Sequence, residues 1–275
     1  MQCPPDIQDP ATGKTALVLS GGGMFGAYQA GVWKTLSGVI VPDMVVGASV
    51  GALNGWCIAA RMSAAELEQR WLDPRSGDLM RYRIPRSPWG GFMNPAALEA
   101  TAKNLTSSLP RLLDFGVALI ELPRMRRSIV VNNAVTWRHL VATCSAPVGF
   151  PPVRIDGRWY TDGGLLEPTP VWAAVMMGAT RIIAVNASRF IPLPGVALGL
   201  RIIRRLARGS GSLPAENPGG PEIVMITPEH PFGKMLEGAD WREERIRSWI
   251  GMGERDGVAA LQAIGRWPAP ARRCG

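Results

Sequence analysis

The chain has 275 residues, 47% of them hydrophobic and 19% charged, which is enough apolar material for a large core and excludes a disordered chain. Its formal net charge of +8 favours contact with anionic surfaces, but no zinc-finger, RNA-recognition or basic-zipper pattern accompanies that charge, so nucleic acid is not the expected partner. Cys3, Cys57, Cys144 and Cys274 show neither metal-ligand spacing nor a disulfide framework, and no metal or cofactor is expected in what reads as a reducing, cytoplasmic setting.

Residues 1–13 are polar and proline-containing, without the apolar region of a secretory signal, and read as a tail. Residues 15–19 form a first buried strand, which runs into the glycine loop Ser20-Gly21-Gly22-Gly23-Met24-Phe25-Gly26 and a helix over 27–36. A second strand, 43–46, ends in Gly47-Ala48-Ser49-Val50-Gly51 and passes directly into a helix reaching about Arg61. Ser63 and Glu66 make a capping-box pattern for a helix over 63–71. Residues 79–93 are loop-like, mixing Arg81, Arg83 and Arg86 with Tyr82, Trp89 and Phe92, and Asn94-Pro95 opens another helix.

Further along, 127–132 is a strand, 135–143 a short helix, and 153–155 pairs with 158–160 across Asp156-Gly157 as a hairpin. The second hairpin arm ends in Thr161-Asp162-Gly163-Gly164. Thr169-Pro170 starts a helix that Gly178 closes, 181–187 is a strand, and a helix is expected over 196–208. A Gly/Ser/Pro-rich segment, 209–221, precedes a strand at 223–227 and a long helix over 241–264, with a frayed tail at 267–275. Alternating strands and helices imply an α/β fold, a mainly parallel central sheet flanked by helices, in one domain spanning 14–266.

Gly47-x-Ser49-x-Gly51 between a strand and a helix has the form of a nucleophile elbow: the small residues permit close packing while the turn pushes the Ser49 hydroxyl out. Gly21-x-Gly23-x-x-Gly26 invites a dinucleotide-binding reading, but that reading needs an acid near the end of the second strand, and Asp43 stands at its beginning. Loops at the C-terminal ends of neighbouring parallel strands lie side by side. Gly21, Gly22 and Gly23 are therefore expected beside Ser49, where their amides can serve as an oxyanion hole. Two bases for Ser49 remain open on the residues alone. Ser49, Asp162 and His230 occur in the chain order of an α/β-hydrolase triad, while Asp162 can itself be the base if burial raises its pKa.

Three ordered blocks carry a resemblance. Residues 18–31, from Val-Leu-Ser-Gly-Gly-Gly to Gly-Ala-Tyr-Gln-Ala-Gly, resemble the opening of patatin-like phospholipases; so do the elbow through Asn54 and the run from Ser145-Ala146-Pro147 to Asp162-Gly163-Gly164. The resemblance implies a three-layer α/β/α fold, a Ser49–Asp162 dyad, and an oxyanion hole at Gly21, Gly22 and Gly23. Gly26, Gly47, Gly51, Gly163 and Gly164 would be supporting motif positions. It implies lipid ester hydrolysis without histidine or metal. Phe25 stands where family members often carry Lys or Arg, implying lower charge near the loop. His139 and His230 then take structural roles.

The alternatives are an esterase or acyltransferase using His230, and a non-catalytic lipid-binding protein. For peripheral contact with an anionic membrane, two segments qualify: the basic amphipathic pattern of Arg201, Arg204, Arg205 and Arg208, and the loop at 79–93 as interface or lid.

Overall fold

The computed structural model describes residues 13–84, 91–147, 149–188, 220–233 and 240–265. An eight-stranded mixed sheet runs through the middle. Its strands are β1 (Lys14–Leu19), β2 (Met44–Gly47), β3 (Asp114–Leu122), β4 (Arg126–Val131), β5 (Val153–Ile155), β6 (Arg158–Asp162), β7 (Ala179–Val185) and β8 (Glu222–Ile226). The described helices are α1 (Gly26–Leu36), α2 (Val50–Ala59), α3 (Ala64–Leu72), α4 (Pro95–Ser108), α5 (Trp137–Thr143), α6 (Val171–Met176) and α7 (Glu243–Ile264).

Strand order is β5-β6-β3-β2-β1-β7-β8, with β4 also on β3. The run β3-β2-β1-β7-β8 is parallel, whereas β4 and β6 pair antiparallel to β3, and β5 antiparallel to β6. The sheet is therefore mixed at the β3 end rather than parallel throughout. The pattern of the sequence singles out every strand but β3, the one that makes the sheet mixed.

Burial on both faces explains the continuous apolar central strands. Along β1, Leu17 and Leu19 join a large core on one face, while Ala16 and Val18 join a smaller one on the other. The large core is built with α1, α2, α3, α4, α5 and α7; the smaller is closed by Val171, Trp172, Ala173 and Ala174 of α6. These are the three expected layers.

Local signals act as their chemistry predicts. Ser63 and Glu66 form both halves of the capping box, and the Asn94 side chain accepts from the Ala96 amide at 3.0 Å to start α4. Asp156 (φ 46°) and Gly157 (φ 81°) both take left-handed backbone, the type I′ geometry that suits the twist of a two-residue hairpin. The loop at 79–93 is partly regular: a 3-10 segment, Pro74–Met80, leads into a short pairing of Tyr82 with Met93. The helix expected over 196–208, the segment 209–219, residues 1–12 of the N-terminal tail and the whole C-terminal tail at 267–275 lie outside the described residues. No helix among the described residues is long and apolar enough to cross a membrane.

Candidate active site

At the end of β2 the chain turns through Ala48 and Ser49 straight into α2. Ser49 sits at φ 54° and ψ −134°, a backbone region that strains a residue with a side chain. The turn is tight because a Cβ at Gly47 would lie 2.5 Å from the Ala52 Cα, and one at Gly51 would strike the carbonyl oxygens of Leu19 and Ser20. Glycine at both places lets the first turn of α2 rest on the ends of β1 and β2. A relay of two hydrogen bonds ties the Ser49 backbone to β3. Its amide donates to Thr143 Oγ1 at 2.9 Å, and the Thr143 hydroxyl donates onward to the Ala118 carbonyl at 2.7 Å. Thr143 is fully buried at the end of α5, and nothing in the local sequence pattern marks it.

Asp162 reaches Ser49 through sheet register. Residues 116 and 117 of β3 pair with both β2 and β4, and residues 119–121 pair with both β6 and β4. Since β4 occupies one edge, β2 and β6 must share the other, end to end. Gly47 lies opposite Val117 and Asp162 opposite Leu119, two residues apart, or about 7 Å along the strand. Gly163 then turns away against β3, where a Cβ would collide with the Ala118 carbonyl. The Gly164 amide donates to Asp162 Oδ1 at 2.6 Å, fixing the carboxyl orientation.

Burial raises the Asp162 pKa from 3.8 to about 6, against the opposing hydrogen bonds from the Gly164 amide and the Ser49 side chain. The same burial, with the charge of Asp162 adding to it, holds the Cys144 thiol well above its usual range although its contact with Ser49 pulls the other way. The structure thus brings together Ser49, Asp162 and a neutral buried thiol that sequence reasoning passed over.

The glycine loop lies beside them. A Cβ at Gly21 would sit 3.3 Å from Ser49 Cβ, and one at Gly26 would press into Val50 and Trp71. The Gly21 amide, however, donates to the Pro168 carbonyl at 3.0 Å. Among the described residues no hydrogen bond engages the amides of Gly22, Gly23 or Val50. Beneath the loop, Gln29 Nε2 donates to the Ser20 carbonyl (2.7 Å), Asn54 Nδ2 to Gln29 Oε1 and the Gly26 carbonyl (both 2.9 Å), and Trp71 Nε1 to Asn54 Oδ1 (3.0 Å). This buried chain of amides ties α1, α2 and α3 to the loop.

Neither histidine is brought to Ser49. His139 is buried in the capping box of α5, where its Nδ1 accepts from the Thr136 amide at 3.1 Å, and burial lowers its pKa. His230 is exposed beyond β8, which lies three strand spacings from β2, about 14 Å. Phe25 is 3% exposed, stacked on Phe232 at 4.7 Å and edge-on to Trp249 at 4.9 Å. Its side chain therefore belongs to the core beneath α7, where a cation would be desolvated without gain.

A family model described as "Patatin-like phospholipase" matches residues 17–175, the stretch that holds the loop, the elbow and Asp162. The chain belongs to the patatin-like phospholipase family. Triacylglycerol lipase ptl3 of Schizosaccharomyces pombe is 30% identical over 165 residues, covering 50% of this chain and 34% of that protein. Patatin-like phospholipase domain-containing protein 6 of Homo sapiens is 29% identical over 191 residues, covering 64% of this chain and 13% of its own length. Lysophospholipase NTE1 of Mycosarcoma maydis is 26% identical over 182 residues, 62% of this chain and 9% of that one. This patatin-like chain thus spans about a third or less of these relatives. Among solved structures, VipD from Legionella pneumophila shares the fold, with a TM-score of 0.56 at 12% identity over 92% of this chain and 67% of that chain.

Two stability outcomes follow from these contacts. Thr143→Val leaves the Ser49 amide and the Ala118 carbonyl without their partner and should lower unfolding free energy by about 1–3 kcal/mol in urea denaturation, with Thr143→Ser near wild type. Because the folded pKa of Asp162 lies above its ordinary value, its contribution to stability is full below about pH 4 and is lost as pH rises through about 6. Asp162→Asn should therefore be the more stable protein at pH 8, by up to about 3 kcal/mol, with the gap closing as pH falls toward 4.

Proposed function

We propose that the chain is a lipid acyl-ester hydrolase with Ser49 as nucleophile and Asp162 as general base. The observation that carries the reading is the contact of the Ser49 side chain with a buried carboxylate whose proton affinity is raised to about pH 6. An ordinary carboxylate is a weak base, and the raised value brings Asp162 closer to the range where proton transfer from a hydroxyl is effective. Ser49 attacks the ester carbonyl as Asp162 takes its proton. The tetrahedral oxyanion forms at the N-terminus of α2, where the amides of Val50, Gly22 and Gly23 are the available donors, each worth roughly 3 kcal/mol. Gly21, its amide held by Pro168, shapes the loop through its closeness to Ser49. Asp162 returns the proton to the departing alcohol, then activates the water that releases the acyl group.

Lipid as substrate is supported by the relatives named for triacylglycerol lipase and lysophospholipase activity. Peripheral contact with an anionic membrane is supported by the net charge of +8 and by the paired arm of the former loop. There Tyr82 is 65%, Ile84 93% and Phe92 52% exposed, apolar side chains open to a lipid surface. The buried free thiols of Cys57 and Cys144 are in keeping with a reducing, cytoplasmic compartment.

Hydrolysis of a short nitrophenyl ester tests the dyad. Ser49→Ala and Asp162→Asn should each lose roughly 10³-fold or more in kcat, while His230→Ala keeps wild-type turnover. Equal loss in the histidine variant would require a triad instead. Turnover by wild type should fall tenfold per pH unit below about pH 6, as the base becomes protonated. Co-sedimentation with anionic vesicles should weaken about tenfold or more in an Ile84→Ser/Phe92→Ser double variant. Vesicle binding with no turnover in any variant is the behaviour of a lipid-binding protein and would remove the catalytic reading.

A further inference from the structure

One end of the sheet rises past the active site. β3 continues for five residues beyond Val117, the partner of Gly47, so Leu122 stands about 17 Å past the elbow, on the end of the sheet where Ser49 opens. Two turns top this extension: residues 123–125, between β3 and β4, and Asp156-Gly157, between β5 and β6. The pairing of Leu122 with Trp159, and of Trp159 with Arg154, sets the second turn beside the first.

The ridge they form is basic. Residues 121–127 and 154–159 carry five arginines against two acids, Glu121 and Asp156. Glu121 is taken by Arg158 at 3.4 Å, and Arg127 is balanced by Glu167 at 3.1 Å. Arg124, Arg126 and Arg154 are exposed, and none of them is in an ion pair among the described residues. Against these three stands Asp156.

Among them sits Trp159, 47% exposed and the most open of the described tryptophans. Its cross-strand neighbours Leu122 and Arg154 share its side of the sheet, which places the indole between an apolar and a cationic position. An indole among arginines suits the boundary between water and lipid, where the ring is half-buried and the guanidinium meets headgroup charge. The ridge is also continuous with the arm of Tyr82, Ile84 and Phe92. There the Met93 amide donates to the Gly149 carbonyl at 2.9 Å, four residues before β5 begins.

We propose that this ridge is an electrostatic docking surface for an anionic bilayer, with Arg124, Arg126 and Arg154 meeting headgroup charge and Trp159 seated at the interface. The assignment rests on the reading of Ser49 as nucleophile toward lipid esters, which turns this end of the sheet to a bilayer. Labour is divided along one flank. The arm supplies apolar insertion, indifferent to headgroup charge, and the ridge supplies the preference for anionic lipid. Nucleic acid would answer the charge but not the apolar arm beside it.

The test measures binding of the full chain to ether-linked vesicles, which an esterase does not cleave. One set is phosphatidylcholine alone, the other equal parts phosphatidylcholine and phosphatidylserine. Wild type should prefer the anionic vesicles by about tenfold or more at low salt, and lose most of that preference as salt rises. Arg124→Ser/Arg126→Ser/Arg154→Ser should erase the preference and keep binding to neutral vesicles, whereas Ile84→Ser/Phe92→Ser should weaken binding to both. As a control, Arg242→Ser/Arg247→Ser/Arg255→Ser removes the same charge at α7, beside β8 at the opposite edge, and should retain most of the preference. Brominated lipid should quench tryptophan emission less in Trp159→Phe than in wild type. Circular dichroism checks the fold of each variant.

Equal loss of preference in the two arginine triples would make the attraction a property of the whole charge and overturn the ridge. Equal quenching of wild type and Trp159→Phe overturns it as well. If the ridge triple loses binding to duplex DNA or to an acidic peptide while both vesicles are bound as before, the surface belongs to that partner and the proposal falls. Because no lipid is cleaved, these outcomes stand apart from nitrophenyl ester turnover in Ser49→Ala: the ridge can fail in an active enzyme, and an inactive one can still show the anionic preference.

Discussion

The edge of β3 that carries β2 and β6 end to end is the constraint on which the rest of the molecule depends. It is a matter of backbone hydrogen bonding: Gly47 opposite Val117 and Asp162 opposite Leu119. A slip of one residue in either ladder would turn the side chains to the other face and separate Ser49 from Asp162. The mixed sheet follows from the same requirement. A parallel strand in the place of β6 would deliver its C-terminal end far from that of β2, whereas an antiparallel one brings the two ends together. The hydroxyl of Thr143 braces this junction, joining the Ser49 amide to β3 through the Ala118 carbonyl.

Burial of Asp162 has opposite effects on fold and chemistry. A carboxylate only 6% exposed loses hydration, which disfavours its charged form and works against stability at neutral pH. The same loss of hydration makes the group a better proton acceptor. The Gly164 amide moderates the effect, holding one carboxylate oxygen without restoring full solvation. Such local conflict, tolerated because the surrounding sheet and helices over-determine it, is typical of sites where residues are kept for chemistry rather than packing.

Local chemistry was the legible part of this chain. The strand–turn–helix of the elbow, the capping box at Ser63 and the Asp156-Gly157 turn are each written within a few residues, and each takes the expected form. What escaped was long-range. Residues 115–120 of β3, Phe-Gly-Val-Ala-Leu-Ile, are a plain apolar run between Pro110 and Pro123, but no residue there announces three strand partners. Thr143 looks like any helix-end threonine until its two partners arrive from positions 49 and 118. The engagement of the Gly21 amide by Pro168 likewise depends on a contact across 147 positions (168 − 21). Phe25 shows the opposite case: its type was noted, but its direction, into the aromatic group with Phe232 and Trp249, is set by α7 at the far end of the chain.

The hairpin that carries Asp162 ends in open space. A side chain at Gly157 would touch nothing within 4 Å, and β5 contributes only three residues to the sheet's margin. Asp162 lies five residues along β6 from that tip, about 17 Å away. The tip is thus a graft point: extra polypeptide spliced between Asp156 and Gly157 would project from the rim of the sheet and leave the ladder that sets Asp162 against Leu119 undisturbed. Whole modules could be gained or shed there while the chemistry stayed in place.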